Sequence, residues 1–368
     1  MKKNIMLYPL LALLFSCQSA SNKNTSADLN VEFDSTFCAR LMPDLGGGIT
    51  GGDGCISIDL KDGRSVFMWG DSFMGDVVDG LRSDSSTFII GNTFTVIDKD
   101  GKLETLYGGD SNKPSAFIPA EQSGTYPTWY WPGNGFVQDG ILHLFMSKFH
   151  KTGKNTFDFE YLGCDYFRLD VKTMKIIDQT NIKAANENGV HYGHAVLLSQ
   201  DSIYVYGTKM VGFGMAEVHV AKAGLVDNKL TDFMYWDGTQ WQADPLKSQK
   251  LEGVQKSVSE QFNVFSLEGQ VVLLYQDRLE DIRNIYSYIA DKPVGPFRNE
   301  KLLYTVNEPD FKADSMMIYN AMAHPQYKKN DKILVSYNVN THDTVKVFKK
   351  ASLYQPRFLW IPVKNIVE

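Results

Sequence analysis

The chain has 368 residues, of which 12% are aromatic and 22% charged, and its net charge is -6. An acidic balance without basic clusters argues against nucleic acid and against an anionic membrane face as partner. Aromatic residues without excess basicity suit a carbohydrate partner, whose C–H faces pack on rings, although rings also build cores.

Lys2 and Lys3 form a short basic start, and Ile5 to Phe15 form an apolar stretch too short to remain as a membrane-spanning helix. It ends in Leu14-Phe15-Ser16-Cys17, which resembles a lipobox, with Ser16 as the small residue before the cysteine. Residues 1–16 are therefore expected to be a lipoprotein signal peptide and Cys17 the acylated, palmitate-bearing start of the mature chain. The alternative is an ordinary signal peptide that happens to contain a cysteine. Residues 17–30, polar and small, read as a flexible tether. A protein of this kind sits in the bacterial cell envelope, facing the periplasm or the surface, and touches the membrane only through its lipid.

Beyond the tether, residues 31–368 leave about 340 residues, enough for two ordinary domains or one large repetitive one. Only Cys38, Cys55 and Cys164 follow Cys17. At most one disulfide can close within the chain, with Cys38–Cys55 the pair to test. No Cys-x-x-Cys spacing is present, so a thiolate zinc site is not expected.

The apolar stretches that follow are short, β-branched or aromatic, and bounded by Gly, Asp, Asn or Pro: 55–60, 65–70, 93–98, 141–148, 202–208, 271–277, 285–290 and 332–338. Such stretches predict strands joined by turns, hence an all-β protein. They also fall into a loose repeat. Each unit opens with a Gly-, His- or Asn-rich or acidic segment that enters one strand, and a turn leads to a second strand. The openings are Gly51-Gly52-Asp53-Gly54, Gly133-Asn134-Gly135, Tyr192-Gly193-His194, Ser259-Glu260-Gln261-Phe262-Asn263 and Tyr319-Asn320-Ala321-Met322-Ala323-His324. Five openings roughly 55 to 80 residues apart predict a single five-bladed β-propeller, with 31–40 supplying a strand that closes the ring. A pair of β-sandwiches is the alternative.

In a propeller the innermost strands line a central channel, so the opening segments should converge on one mouth. They carry Asp53, Asn134, His191, His194, Glu260, Asn263, Asn320 and His324, with Asp71 at the end of the first unit's second strand. Carboxylates, imidazoles and amides aimed at one pocket suit a polyhydroxylated ligand. The segment from Tyr126 to Pro132 is expected to overhang the mouth, with Trp129 or Trp131 as a stacking platform for sugar.

With openings led by an acid, Trp69-Gly70-Asp71-Ser72-Phe73, Tyr206-Gly207-Thr208 and Ser259-Glu260, the chain resembles the five-bladed propeller glycoside hydrolases, among them arabinanases and β-xylosidases. It is most similar to a former domain-of-unknown-function family associated with endo-D-arabinanase activity. The resemblance implies cleavage of a glycosidic bond in a furanoside-containing or related polysaccharide between two carboxyl groups. Glu260 is the expected general acid, its pKa raised by partial burial, Asp53 the base or nucleophile, and Asp71 an orienting or tuning group. Asn134, His194, Asn263, Asn320, His324, Trp129 and Trp131 are the expected substrate contacts.

Plainer readings stand beside these. Asp53 in a Gly-Gly-Asp-Gly run is a natural turn residue, Asp71 can cap a turn, Glu260 can be a surface charge, and His194 and His324 can be core histidines. A metal among Asp53, His194 and His324 lacks local ligand spacing, so neither cofactor nor metal is expected. No Gly-x-Ser-x-Gly elbow supports an esterase. The expected partner is a poly- or oligosaccharide and the expected assembly a monomer. The rivals to a hydrolase are a non-catalytic glycan-binding lipoprotein using the same pocket and a structural propeller that presents loops to a protein.

Overall fold

The computed structural model describes residues 29–368, except 123, 156, 183–186, 201 and 213. The stretch read as a signal peptide, Cys17 and most of the expected tether lie outside the described residues. Leu29 and Asn30, assigned above to the tether, already belong to the folded body: Asn365 Nδ2 donates to the Leu29 carbonyl at 2.5 Å and Lys332 Nζ to that of Asn30 at 2.9 Å.

The strands form five antiparallel sheets around an axis. From the axis outward, the first blade is Ile56–Asp59, Ser65–Trp69, Thr93–Ile97 and Leu103–Leu106. The second is Thr128–Gln138, Ile141–Lys151, Phe159–Asp170 and Ile176–Ile182. The third starts with His191–Ser199, Ser202–Gly212 and Met215–Ala223 and continues through Met234–Trp236 and Trp241–Gln242. The fourth is Asn263–Leu267, Gln270–Gln276, Asn284–Ala290 and Arg298–Thr305. In the fifth, Met316–Lys329, Lys332–Thr341 and Pro356–Pro362 are completed by Glu32–Asp34, whose register runs Glu32 to Trp360 and Asp34 to Phe358. The N-terminal strand thus closes the ring non-covalently. The innermost strands touch one another all the way round, the fifth against the first included.

Alternation of apolar residues on two-faced strands explains the core. Five clusters form, one between each pair of neighbouring blades: Ile56, Val66, Tyr130 and Leu144; Phe136, Phe145, Val196 and Val205; Ala195, Tyr206, Val264 and Leu273; Leu274, Ile289, Ile318 and Val335; Phe67, Trp69, Leu334 and Phe358. Burial is thereby spread around the ring and the axis is left open to polar side chains. No described helix is long and apolar enough to cross a membrane.

Three of the five innermost strands lose their register at the mouth, between Pro132 and Gly135, Tyr192 and Ala195, and Tyr319 and Met322. These bulges are the physical meaning of the Gly/Asn/His openings, because one extra residue, or two in the third blade, turns side chains out of the strand alternation. Gly193 shows why glycine is needed: its φ is +98°, and a Cβ there would lie 2.7 Å from Phe145 Cβ.

Above the first blade, Ile49–Gly52, Ser72–Met74 and Thr87–Ile89 form a small extra sheet. Arg82, buried beside it, donates to Thr50 Oγ1 at 2.8 Å and to the carbonyls of Ala351 and Val347 at 3.0 and 3.2 Å. This sheet is thereby pinned to the C-terminal segment. Cys38 and Cys55 do not form the disulfide considered above; they and Cys164 are free thiols, and burial raises the pKa of all three.

Candidate active site

One cavity of about 230 Å³ opens at the mouth, lined by Asp53 and Gly70 from the first blade, Trp131, Pro132, Ser147, Phe149 and Phe159 from the second, and His194 from the third. Glu260 and Gln261 enter from the fourth blade, and Tyr319 and Asn320 from the fifth. A second recess of similar size shares Glu260, Tyr319 and Asn320 and adds Arg278, Asp277 and Gln276.

The Trp69-Gly70-Asp71-Ser72 run builds one wall, and each residue has its own task. Trp69 is buried and donates from Nε1 to Thr95 Oγ1 at 2.9 Å. Gly70 makes room for the neighbouring carboxyl, since a Cβ there would lie 2.4 Å from Asp53 Oδ1. Asp71 Oδ1 accepts from Trp131 Nε1 at 2.9 Å and from the Gly91 amide at 2.8 Å, so it holds the indole that faces the cavity. Ser72 Oγ pairs with Thr93 Oγ1 at 2.8 Å.

Asp53 Oδ2 accepts from the Tyr319 hydroxyl at 2.9 Å. Burial and the nearby Asp71 carboxylate push its pKa up to about 7, against the opposing pull of the Tyr319 and Tyr354 hydroxyls. Asp71 is also raised by burial, but the indole and the Gly91 amide donate to it and favour its charge. Two neighbouring buried carboxyls do not both ionise easily, so the pair shares a proton toward neutral pH, and the indole and Gly91 donors to Asp71 favour its place on Asp53.

Glu260 behaves in the opposite way. Burial works to raise its pKa, but a 2.8 Å hydrogen bond with His191 Nδ1 and the charges of His194 and Arg278, 3.9 and 3.6 Å away, bring it down to about 2. The sequence-based expectation of a raised value took account of burial but not of the histidine pair from the third blade and the arginine from the loop after Gln276. His191 is itself held flat on Tyr161, with ring centroids 3.7 Å apart. His194 is only 3% exposed, burial lowers its pKa to about 4, and neither ring nitrogen has a hydrogen-bond partner.

Of the expected contacts, Asp53, Glu260, Trp131, His194 and Asn320 meet at the cavity, and Asp71 stands one bond behind it. The others do not. Asn134 folds back onto the Gly135 amide at 2.7 Å to shape its bulge. Asn263 accepts from the Ala323 amide at 2.6 Å and ties the fourth blade to the fifth. His324 is fully buried between Ser57 Oγ and Ser336 Oγ, at 2.7 and 3.0 Å, where burial lowers its pKa to about 3. Trp129 is 7% exposed and packs behind Trp131, Phe149 and Phe159. The segment read as an overhanging loop is, from Thr128 onward, the innermost strand of the second blade.

Sequence reasoning missed Tyr319, Gln261, Ser147, Phe149, Phe159 and Arg278. Tyr319 and Gln261 sit beside named residues within the openings, which is the signal that could have found them. Phe149 and Phe159 come from second and third strands and Arg278 from the loop after Gln276, and they have no such signal. Among the described residues, His191, His194 and Glu260 each place one donor atom within 4.8 Å of the others, as metal ligands would.

The ring of five four- to five-stranded sheets, closed by an N-terminal strand and carrying polar residues at one mouth, defines a five-bladed β-propeller. Residues 42–364 match a family described as a domain of unknown function, DUF5005, and the chain belongs to that family. No functionally curated protein matches it. Among solved structures it is similar to a Bacteroides ovatus protein provisionally described as a hydrolase, with 19% identity, a TM-score of 0.74, and coverage of 91% of this chain and 94% of that one. More distant neighbours include an α-L-arabinofuranosidase from Lactobacillus brevis, at 11% identity and TM-score 0.49, covering 85% of this chain and 91% of that one. Another is a GH43_1 enzyme from Xanthomonas citri complexed with xylotriose, at 14% identity and TM-score 0.46, covering 88% and 91%.

Proposed function

We propose that the protein is a glycoside hydrolase that cleaves a furanoside-containing or related polysaccharide at the propeller mouth. The observation that carries this reading is that Asp53 and Glu260, from opposite sides of the ring, line one cavity with a wall of Trp131, Phe149 and Phe159. Glycosidic cleavage needs one carboxyl group to protonate the leaving oxygen and a second to activate water or attack the anomeric carbon. Asp53, which retains its proton toward neutral pH, suits the donor. Glu260 suits the second group. This reverses the roles expected from sequence, because the His191 hydrogen bond and the Arg278 guanidinium favour the charged form of Glu260. Asp71 acts through Trp131 and through its effect on Asp53. The aromatic wall offers a face for sugar C–H groups, and Asn320 and Gln261 offer amides for hydroxyls.

The provisional description of the Bacteroides relative as a hydrolase is consistent with this reading, as are the arabinofuranosidase and xylotriose-binding enzymes among the neighbours by name. An endo-acting arabinanase is the finer form of the proposal. Lipid anchoring at Cys17 would hold a monomeric propeller in the cell envelope, where such polysaccharides are met. Metabolic labelling with palmitate, lost in Cys17→Ser, tests the anchor.

The test of activity is release of reducing ends from arabinan, arabinogalactan, xylan and pectic oligosaccharides by wild type, Asp53→Asn and Glu260→Gln. Release by wild type and its loss in both variants is expected. Activity that survives both substitutions overturns the site. Glycan binding without any release by wild type favours a binding module that uses the same aromatic wall.

A further inference from the structure

The geometry points to a divalent d-block cation site, of the zinc class, formed by His191, His194 and Glu260 at the floor of the mouth. Two observations independent of each other carry it. The first is convergence: a ring nitrogen from each histidine and a carboxylate oxygen lie within 4.8 Å of one another, with His191 Nδ1 to Glu260 Oε1 at 2.8 Å and His194 Nε2 to the same oxygen at 3.9 Å. A tetrahedral ion with bonds of about 2.1 Å sets its ligand atoms roughly 3.4 Å apart, so small side-chain rotations suffice.

The second observation is His194 itself. Its side chain is only 4% exposed, yet neither of its nitrogens has a hydrogen-bond partner. A buried imidazole left without hydrogen bonds is costly, and such groups in folded proteins are satisfied by a protein group, an ordered water or an ion. Two imidazoles and one carboxylate are the donors of zinc-class sites, whereas calcium and magnesium prefer oxygen alone.

The backbone is shaped for this convergence. The bulge between Tyr192 and Ala195, with Gly193 at φ +98°, places His191 and His194 at positions i and i+3 on a strand that would otherwise alternate its side chains. Tyr161 fixes the His191 ring by stacking, and Arg278 lies 3.6 Å from the other Glu260 oxygen. These outer partners orient the ligands, as second-sphere groups of metal sites do. The cluster borders the cavity, so an ion held by three protein ligands would keep its open position toward substrate. The site goes beyond the hydrolase reading but shares Glu260 with it, so holding an ion and serving as base or nucleophile are alternative uses of that carboxylate.

The test is cobalt(II) titration of the full-length, chelator-treated protein, followed by visible absorption and calorimetry, with zinc(II) as competitor. One equivalent is expected to bind with the d–d absorption of a low-coordinate cobalt site and to be displaced by zinc. His194→Gln and Glu260→Gln, each checked for folding by circular dichroism, should weaken binding at least about tenfold. His219→Gln, which removes a buried histidine from outside the cluster, should leave it unchanged. Absence of stoichiometric binding, or wild-type spectra in whichever of the His194 and Glu260 variants fold, overturns the proposal. Because the readout is metal binding, its failure is separable from a failure to cleave glycans.

Discussion

Replacing Asp53 by asparagine tests the electrostatics of the mouth without removing its shape. The pKa of the Asp53 carboxyl rises from 3.8 to about 7 because the site is buried and Asp71 stands beside it. In the unfolded chain the same carboxyl ionises near its ordinary value. Below that value both states are protonated and no penalty exists. As pH rises toward 7, the unfolded chain sheds the proton while the folded one keeps it, so folding stability falls, and above 7 the full cost remains. At about 1.4 kcal/mol for each pH unit between the two midpoints, the ceiling is on the order of 4 kcal/mol. Sharing of the proton with Asp71 and access of water from the cavity bring the expected figure to roughly 2 kcal/mol. In Asp53→Asn the side-chain amide oxygen would still accept the Tyr319 hydroxyl bond. Urea denaturation of wild type and Asp53→Asn at pH 4 and pH 8.5 measures the difference. The variant should match wild type at pH 4 and exceed it at pH 8.5, with unchanged m value. A stability difference that does not change between these pH values would refute the reasoning.

Other substitutions separate structure from chemistry. His324→Ala takes the imidazole partner from the buried Ser336 hydroxyl, while Ser57 keeps Gln326 Nε2 at 2.8 Å, and leaves a void between the first and fifth blades, so it should cost about 2–4 kcal/mol in thermal or urea unfolding. Gly193→Ala forces a Cβ into Phe145 at positive φ, so a loss of at least about 1–3 kcal/mol is expected, together with misplacement of His191 and His194. Trp131→Ala removes the aromatic face that Asp71 holds and should raise KM on oligosaccharides roughly tenfold with a smaller change in kcat, as steady-state kinetics will show. In wild type, kcat/KM should fall as pH rises past about 7, where Asp53 loses its proton.

Much of the architecture was legible because it is periodic. Strand–turn–strand units separated by Asp-Gly and Glu-Gly turns give the blades, and the five openings mark the innermost strands. The bulges at Gly193 and Asn320 explain why those openings are rich in residues that tolerate unusual backbone angles. The site was only partly legible, for a different reason. Whether a polar residue in an opening faces the channel or ties two blades together depends on a shift of one residue in register, which the repeat does not encode. Asn263 and His324 fell on the structural side, whereas Glu260 and Asn320 fell on the cavity side. The roles of the two carboxyls were inverted for a similar cause. Burial is suggested by local sequence, but the His191 hydrogen bond and the Arg278 guanidinium that lower the Glu260 pKa are brought in only by the fold.

The central claim is that Asp53 gives its proton to the leaving oxygen, and a change of leaving group tests it most directly. Wild type and Asp53→Asn are compared on the cleaved glycan and on an aryl glycoside of the same sugar whose phenolate departs without protonation. The account predicts a loss of about 10²–10⁴-fold on the glycan and a much smaller one on the aryl glycoside. Equal losses on both substrates would contradict it.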